Sequence, residues 1–159
     1  MSNPYYIKEF DATGGQLARS RQIAREFALV QRGFDTIALV NGTVKYQLSL
    51  SDLTSNLQAG AAKAYMRVVG AFTLTGVRAS LIQASSSGPV QTNILINGAA
   101  ALFLPLQIDA LARTSIGSVS TPSIAIPAIP DDAEVTFTVV NAGSNAKGLI
   151  VTLLGTRLP

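Results

Sequence analysis

The hydrophobic positions of this chain change period once. In the N-terminal part they recur at helical spacing. Ile23, Phe27, Val30, Phe34 and Ile37 follow each other at alternating intervals of four and three residues, which aligns them on one stripe of a helix within residues 16–38. Leu17 and Ala24 fall near that stripe, Thr13 or Ser20 suits its N-cap, and Gly33 suits a C-terminus or a kink near Phe34. Beyond residue 40 the period becomes two. Val44, Tyr46, Leu48 and Leu50 alternate with Lys45, Gln47 and Ser49, and Val135, Phe137 and Val139 alternate with Thr136 and Thr138. Leu149, Val151 and Leu153 point one way, Ile150, Thr152 and Leu154 the other. Each is the pattern of a strand with two unlike faces.

Further strands are predicted over 64–69, over 72–82 (one strand, or two broken at Gly76), over 90–97 and over 100–108, where Pro105 implies an edge or a bulge. Residues 51–62, 85–89 and 141–145 read as loops. Residues 114–130, with Pro122, Pro127 and Pro130 among Ile116, Ile124, Ile126 and Ile129, read as an edge strand and a long connection. Phe72, Phe103 and Phe137 sit in strand patterns and are expected in the core. Seven to nine short strands with turn signals between them, such as Asn41-Gly42 and Asn97-Gly98, define a mainly β chain. The expected fold is a β-sandwich, jelly-roll-like, spanning 44–159, preceded by an arm and amphipathic helix over 1–40. Within the arm, Pro4 and Gly14-Gly15 prevent regular structure while Tyr5, Tyr6, Ile7 and Phe10 supply apolar grip.

Charge sharpens this picture. The 159 residues are 48% hydrophobic and only 13% charged, against about 25% in an ordinary soluble domain. Between Arg78 and Asp131 the only ionisable side chains are Asp109 and Arg113. A lone monomer needs more surface charge than that for solubility, so much of this surface is expected to meet other protein. The helix differs, because Arg19, Arg21, Arg25 and Arg32 cover its outer face with Glu26 alone opposing them. Its stripe either packs on its own β-domain or docks against a partner or sister helices.

Candidate chemistry is sparse. The chain has no cysteine and no histidine, which removes disulfides, thiolate sites and the commonest general base. The acidic cluster Asp131, Asp132 and Glu134 follows Pro130, where adjacent strand residues point to opposite faces, and it reads as a solvated turn rather than a glycosidase pair or a calcium site. No G-x-S-x-G, S-x-x-K or phosphate-loop motif occurs. No enzyme activity, cofactor or metal is therefore expected. The net charge of +3 comes from twelve dispersed basic residues. The helical arginines lack a companion set of stacking aromatics, so an acidic protein surface is preferred to nucleic acid as their target. Sugar binding leaves Tyr46 and Tyr65 as stacking candidates, each of which also suits a core or an interface. The segment from Met1 to Phe10 is polar and the longest apolar run, Ala99 to Leu106, is too short to cross a bilayer, so neither a secretory leader nor a membrane span is expected.

Two stretches resemble phage virion proteins. Ala18-Arg19-Ser20-Arg21-Gln22-Ile23-Ala24-Arg25-Glu26-Phe27, followed by Gly33-Phe34-Asp35, is similar to a short helical attachment segment near the N-termini of phage tail-fibre and related appendage proteins, departing at Arg25, where asparagine is usual. Residues 63–156 resemble a β-sandwich module recurrent in phage structural proteins. The resemblance runs through Lys63-Ala64-Tyr65-Met66-Arg67, Ile94-Leu95-Ile96-Asn97-Gly98, Pro130-Asp131-Asp132-Ala133-Glu134 and Lys147-Gly148-Leu149-Ile150-Val151-Thr152, with Asn93 where aspartate is frequent.

The resemblance implies a non-enzymatic virion protein assembled in the host cytoplasm. It would be a homotrimeric or otherwise symmetric fibre, collar or capsid-decoration subunit, with identical copies and a capsid, neck or tail protein as partners. Ile23, Phe27, Val30 and Phe34 are expected to dock it, with Arg19, Arg21 and Arg25 steering. The alternative is a receptor- or glycan-binding fibre tip that recognises a host surface through loops 85–89 and 141–147.

Overall fold

The computed structural model describes residues 25–32 and 42–157. The chain falls into two compact units, Met1–Gly42 and Thr43–Pro159. In the first, residues 25–32 are helical. The second is built from nine strands: β1 (Thr43–Ser49), β2 (Gly60–Arg67), β3 (Phe72–Ser80), β4 (Val90–Ile96), β5 (Ala99–Ala100), β6 (Leu106–Ile108), β7 (Ala128–Ile129), β8 (Glu134–Asn141) and β9 (Ile150–Arg157).

These strands form two antiparallel sheets, ordered β1-β9-β3-β7 and β2-β8-β4-β5, with β6 also paired to β4. The pairs β1·β9, β2·β8, β3·β7 and β4·β5/β6 nest inside one another. That is one long antiparallel hairpin folded over, so that β9 also meets β3 and β8 also meets β4. The result is a β-sandwich with jelly-roll strand order.

Period-two alternation sends one face of each strand into the core. Val135, Phe137 and Val139 of β8, Val90, Ile94 and Ile96 of β4, and Val151 and Leu153 of β9 are buried. Phe137 lies between Ala64 of β2 and Ile94 of β4 in register. Phe72 enters from the opposite sheet and meets the Tyr46 ring at 5.5 Å between centroids. The Tyr46 hydroxyl donates to the Val69 carbonyl at 2.9 Å, so this ring is part of the core edge.

Several expectations need correction. Of the two readings of 72–82, one strand or two broken at Gly76, the single strand is found, with a bulge at Thr75, because Leu74 and Gly76 face the consecutive residues Gly155 and Leu154. The loop over 51–62 is shorter, since β2 begins at Gly60, two residues of an irregular pairing being spent before Ala64 regains register with Phe137. The strand over 100–108 is interrupted. The Ala101 N–H still donates to the Ile94 carbonyl, but its own carbonyl accepts from Ala125 and Ile126, and the Phe103 N–H donates to Ser123. Residues 101–103 thus turn away from β4, and Pro105 adds no donor of its own. Phe103 consequently leaves the core and is 73% exposed.

The long connection after β6 closes one flank of the sandwich. It bonds along β3 beyond the two residues that β7 pairs. Ala79 donates to Ser115 Oγ at 2.9 Å, Ser115 donates back to the Ala79 carbonyl at 3.0 Å, and Leu81 donates to Arg113 at 2.9 Å.

Register also fixes the two ends of the body. Thr43 faces Thr156 while Ser49 faces Ile150, so the chain enters β1 at the end where β9 finishes. The short turns at 68–71, 97–98 and 130–133 lie at that same end: the Asp131 carboxylate accepts from Gly70 N–H, and Asn97 Oδ1 accepts from Glu134 N–H. The connections 50–59, 81–89 and 142–149 gather at the other end.

Candidate docking surfaces

Three surfaces were singled out by the sequence or emerge from the fold, and the first is the N-terminal helix. Arg19, Arg21, Ile23 and Phe34 lie outside the described residues. Arg25, Phe27 and Val30 lie on the helix 25–32, where Phe27 and Val30, three residues apart, share a face. Phe27 is 70% exposed and Val30 half-buried. A phenylalanine held so far out of a core is available to a partner.

The second surface is the closed flank. Of the large apolar side chains exposed in the described body, half lie between residues 103 and 119: Phe103, Leu104, Leu111, Ile116 and Val119. The sequence placed the first of these in the core, and Leu104, Ile116 and Val119 in strand or connection, while Leu111 fell in no predicted element. Its only pointer to this flank was the shortage of charge. The segment carrying them is well fixed. One Asp109 carboxylate oxygen accepts from the Gln107 side-chain amide at 2.7 Å, the other from Val119 N–H at 2.9 Å, and Ser118 Oγ donates to the Gln107 carbonyl at 2.8 Å. The Gln107 amide, then the Val119 N–H, hold the Asp109 carboxyl below its ordinary pKa.

Asp52 has a similar role at the far end. It accepts from the N–H groups of Ser55 at 2.6 Å and Thr54 at 2.9 Å, and these bonds, Ser55 first, lower its pKa as well. A carboxyl whose folded pKa is depressed favours the folded state fully above its unfolded pKa, near 3.9, and loses that contribution as pH falls through the folded value. The melting temperature is therefore expected to drop as pH is lowered from about 5 toward 2. Asp52→Asn and Asp109→Asn should each make that acid-side decline shallower in a differential scanning fluorimetry series; an unchanged decline in both would contradict this account.

The third surface is the end opposite Thr43. Loops 85–89 and 141–147 are knitted together there. Ser86 N–H donates to the Ser144 carbonyl at 2.8 Å, Ser144 N–H donates to the Ser87 carbonyl and to Ser85 Oγ, and Asn145 Nδ2 donates to Ser86 Oγ at 3.1 Å. Gly143, at φ 60°, sits so close to Ser85 that a side chain there would collide with its hydroxyl. Asn56 reaches Asn145 from the β1–β2 loop at 3.4 Å, and beside it residues 50–52 and 55–58 with Lys63 line a shallow cavity of about 210 Å³. Residues 85–87 and 143–145 present amides and hydroxyls and no charged side chain.

The remaining candidates are structural. Asp131 bonds Gly70 and Asp132 N–H groups, while Asp132 and Glu134 pair with Arg67 at 3.2 and 3.7 Å. Tyr65 is half-exposed and accepts from Arg67 Nε at 2.8 Å. Among the described residues no group of three or more acidic, histidine or cysteine side chains is placed to hold a metal ion, and no helix is long and apolar enough to cross a membrane. Comparison with models of known protein families, with curated proteins and with solved structures finds no match.

Proposed function

We propose that this chain is a non-enzymatic structural subunit of a tailed-phage virion: an oligomeric appendage or decoration protein, homotrimeric, whose jelly-roll body associates with identical copies and whose N-terminal segment anchors it to a head, neck or tail protein. The observation that carries this reading is the surface of the body, which keeps large apolar side chains in water over a flank bearing a single acid and a single base. Such a surface is stabilised by contact with protein, since each Å² of apolar area withdrawn from water contributes about 25 cal/mol. The virion setting rests on the two stretches of resemblance, at 18–35 and 63–156. A jelly roll alone carries no function.

The test is direct. Light scattering on the full chain should give a multiple of the subunit mass, and antibody labelling should locate the protein on assembled particles. Phe27→Asp should lower its copy number on particles at least about tenfold while the melting temperature of the free protein stays unchanged, because a side chain so exposed adds little to folding. Normal copy numbers with Phe27→Asp would remove the helix as anchor.

A host-glycan-binding tip is the second reading. It is favoured by the polar, rigidly bonded surface of 85–87 and 143–145 at the end of the body opposite Thr43. Hydroxyl and amide groups suit a neutral polyhydroxylated ligand. A glycan array giving signal that Asn145→Ala abolishes would support it, and a blank array would count against it.

A further inference from the structure

We infer that the flank between Phe103 and Val119 is the surface through which one copy of this chain packs against the next, which deepens the assembly reading above and rests on it. Phe103, Leu104, Leu111, Ile116 and Val119 are between half and nine-tenths exposed. Side chains of this size at that exposure present on the order of 600 Å² of apolar area, most of the roughly 800 Å² per partner that a standard interface buries. Spread along one flank, they equal in total the largest apolar patch of a typical monomer, about 300–600 Å².

Charge selects a second copy as the occupant. The flank lies in the stretch whose only ionisable side chains are Asp109 and Arg113. One acid and one base make it electrically neutral, so copies gathered around a shared axis bring their flanks together without like-charge repulsion. The Asp109 oxygens are already held by Gln107 and Val119. A foreign partner steered by charge would find no field here, whereas the arginine-bearing N-terminal segment supplies one.

Geometry agrees with both points. The flank is rigid before contact, because Ser115 and Arg113 bond along β3 and Ser118 bonds to β6. Little ordering entropy is then lost when it is covered. It also runs alongside the strands: Phe103 follows the β5 turn near the Thr43 end, and Leu111 donates to Ser85 at the other end. Copies joined here stand side by side, with the Thr43 end and the serine-rich end both left uncovered.

The experiment uses the full chain and two substitutions of opposite sign, Val119→Glu and Ile116→Lys, with Val69→Glu as control. Val69 is 72% exposed, outside the flank, at the 68–71 turn. Burying a lone charge in an interface is costly whatever its sign. Both flank variants are therefore expected to weaken self-association at least about a hundredfold in light scattering and sedimentation, with unchanged strand content by circular dichroism. The control should keep the parent mass. Parent-like mass in both flank variants would overturn the flank as the contact, and dissociation of the Val69→Glu control would overturn its specificity. A parent protein that stays a single subunit from micromolar to near-millimolar concentration would remove the assembly reading itself. That result is distinct from an oligomer indifferent to the flank.

Discussion

Phe137→Ala is expected to destabilise the body by about 3–5 kcal/mol, the range for emptying a buried aromatic site. The ring has no exposed surface and stands mid-sheet, flanked in register by Ala64 and Ile94, neither of which can swing into the space. Val135 and Val139 on its own strand are β-branched and stiff, so the cavity collapses poorly. Urea unfolding followed by circular dichroism measures the effect as a shift in midpoint at constant slope. A loss under about 1 kcal/mol would mean that the two sheets do not pack as described.

Gly155→Ala should also destabilise the body, for the opposite reason. Gly155 pairs with Val44 on one side and Leu74 on the other. A methyl group there would run into the Phe72 ring and the Thr73 carbonyl. The carbonyl belongs to the sheet backbone, and the Phe72 ring is fully buried and braced by Tyr46, so neither yields cheaply. Overpacking of this kind costs about 1–3 kcal/mol and more where backbone must shift. The same urea experiment reads it. Adding Phe72→Leu should recover part of the loss, because a smaller side chain makes room for the methyl; failure of any recovery would point to the carbonyl as the sole obstacle.

Gly155 also shows what the sequence could and could not convey. The alternation from Leu149 to Leu154 announced a strand and left Gly155 without a part in it. The strand in fact continues to Arg157, and the glycine is there for a ring contributed by a residue 83 positions earlier. Local pattern gave the alternating faces of β8 and β9, since period two and burial on one face have one cause. It failed where pairing changes partner. Phe103 carries the right residue type at the right phase for a core, yet residues 101–103 leave β4 for 123–126, a tertiary choice that no short window contains. The flank was legible only as missing charge. Its apolar residues were visible in the sequence, but which of them remain in water depends on how the connection from Asp109 to Pro127 folds against β3 and β6.

The pairing of β1 with β9 has a mechanical consequence. Their outer ends, Thr43 and Arg157, lie at one end of the body, and seven consecutive residue pairs join the two strands. Force pulling Thr43 away from Arg157 across the strands would open that ladder one rung at a time, like a zipper. Force running lengthwise, from a tether at Thr43 to a load at the serine-rich end, would instead strain every rung together. The fold thus resists most strongly along the axis in which a tethered, outward-projecting subunit would be pulled.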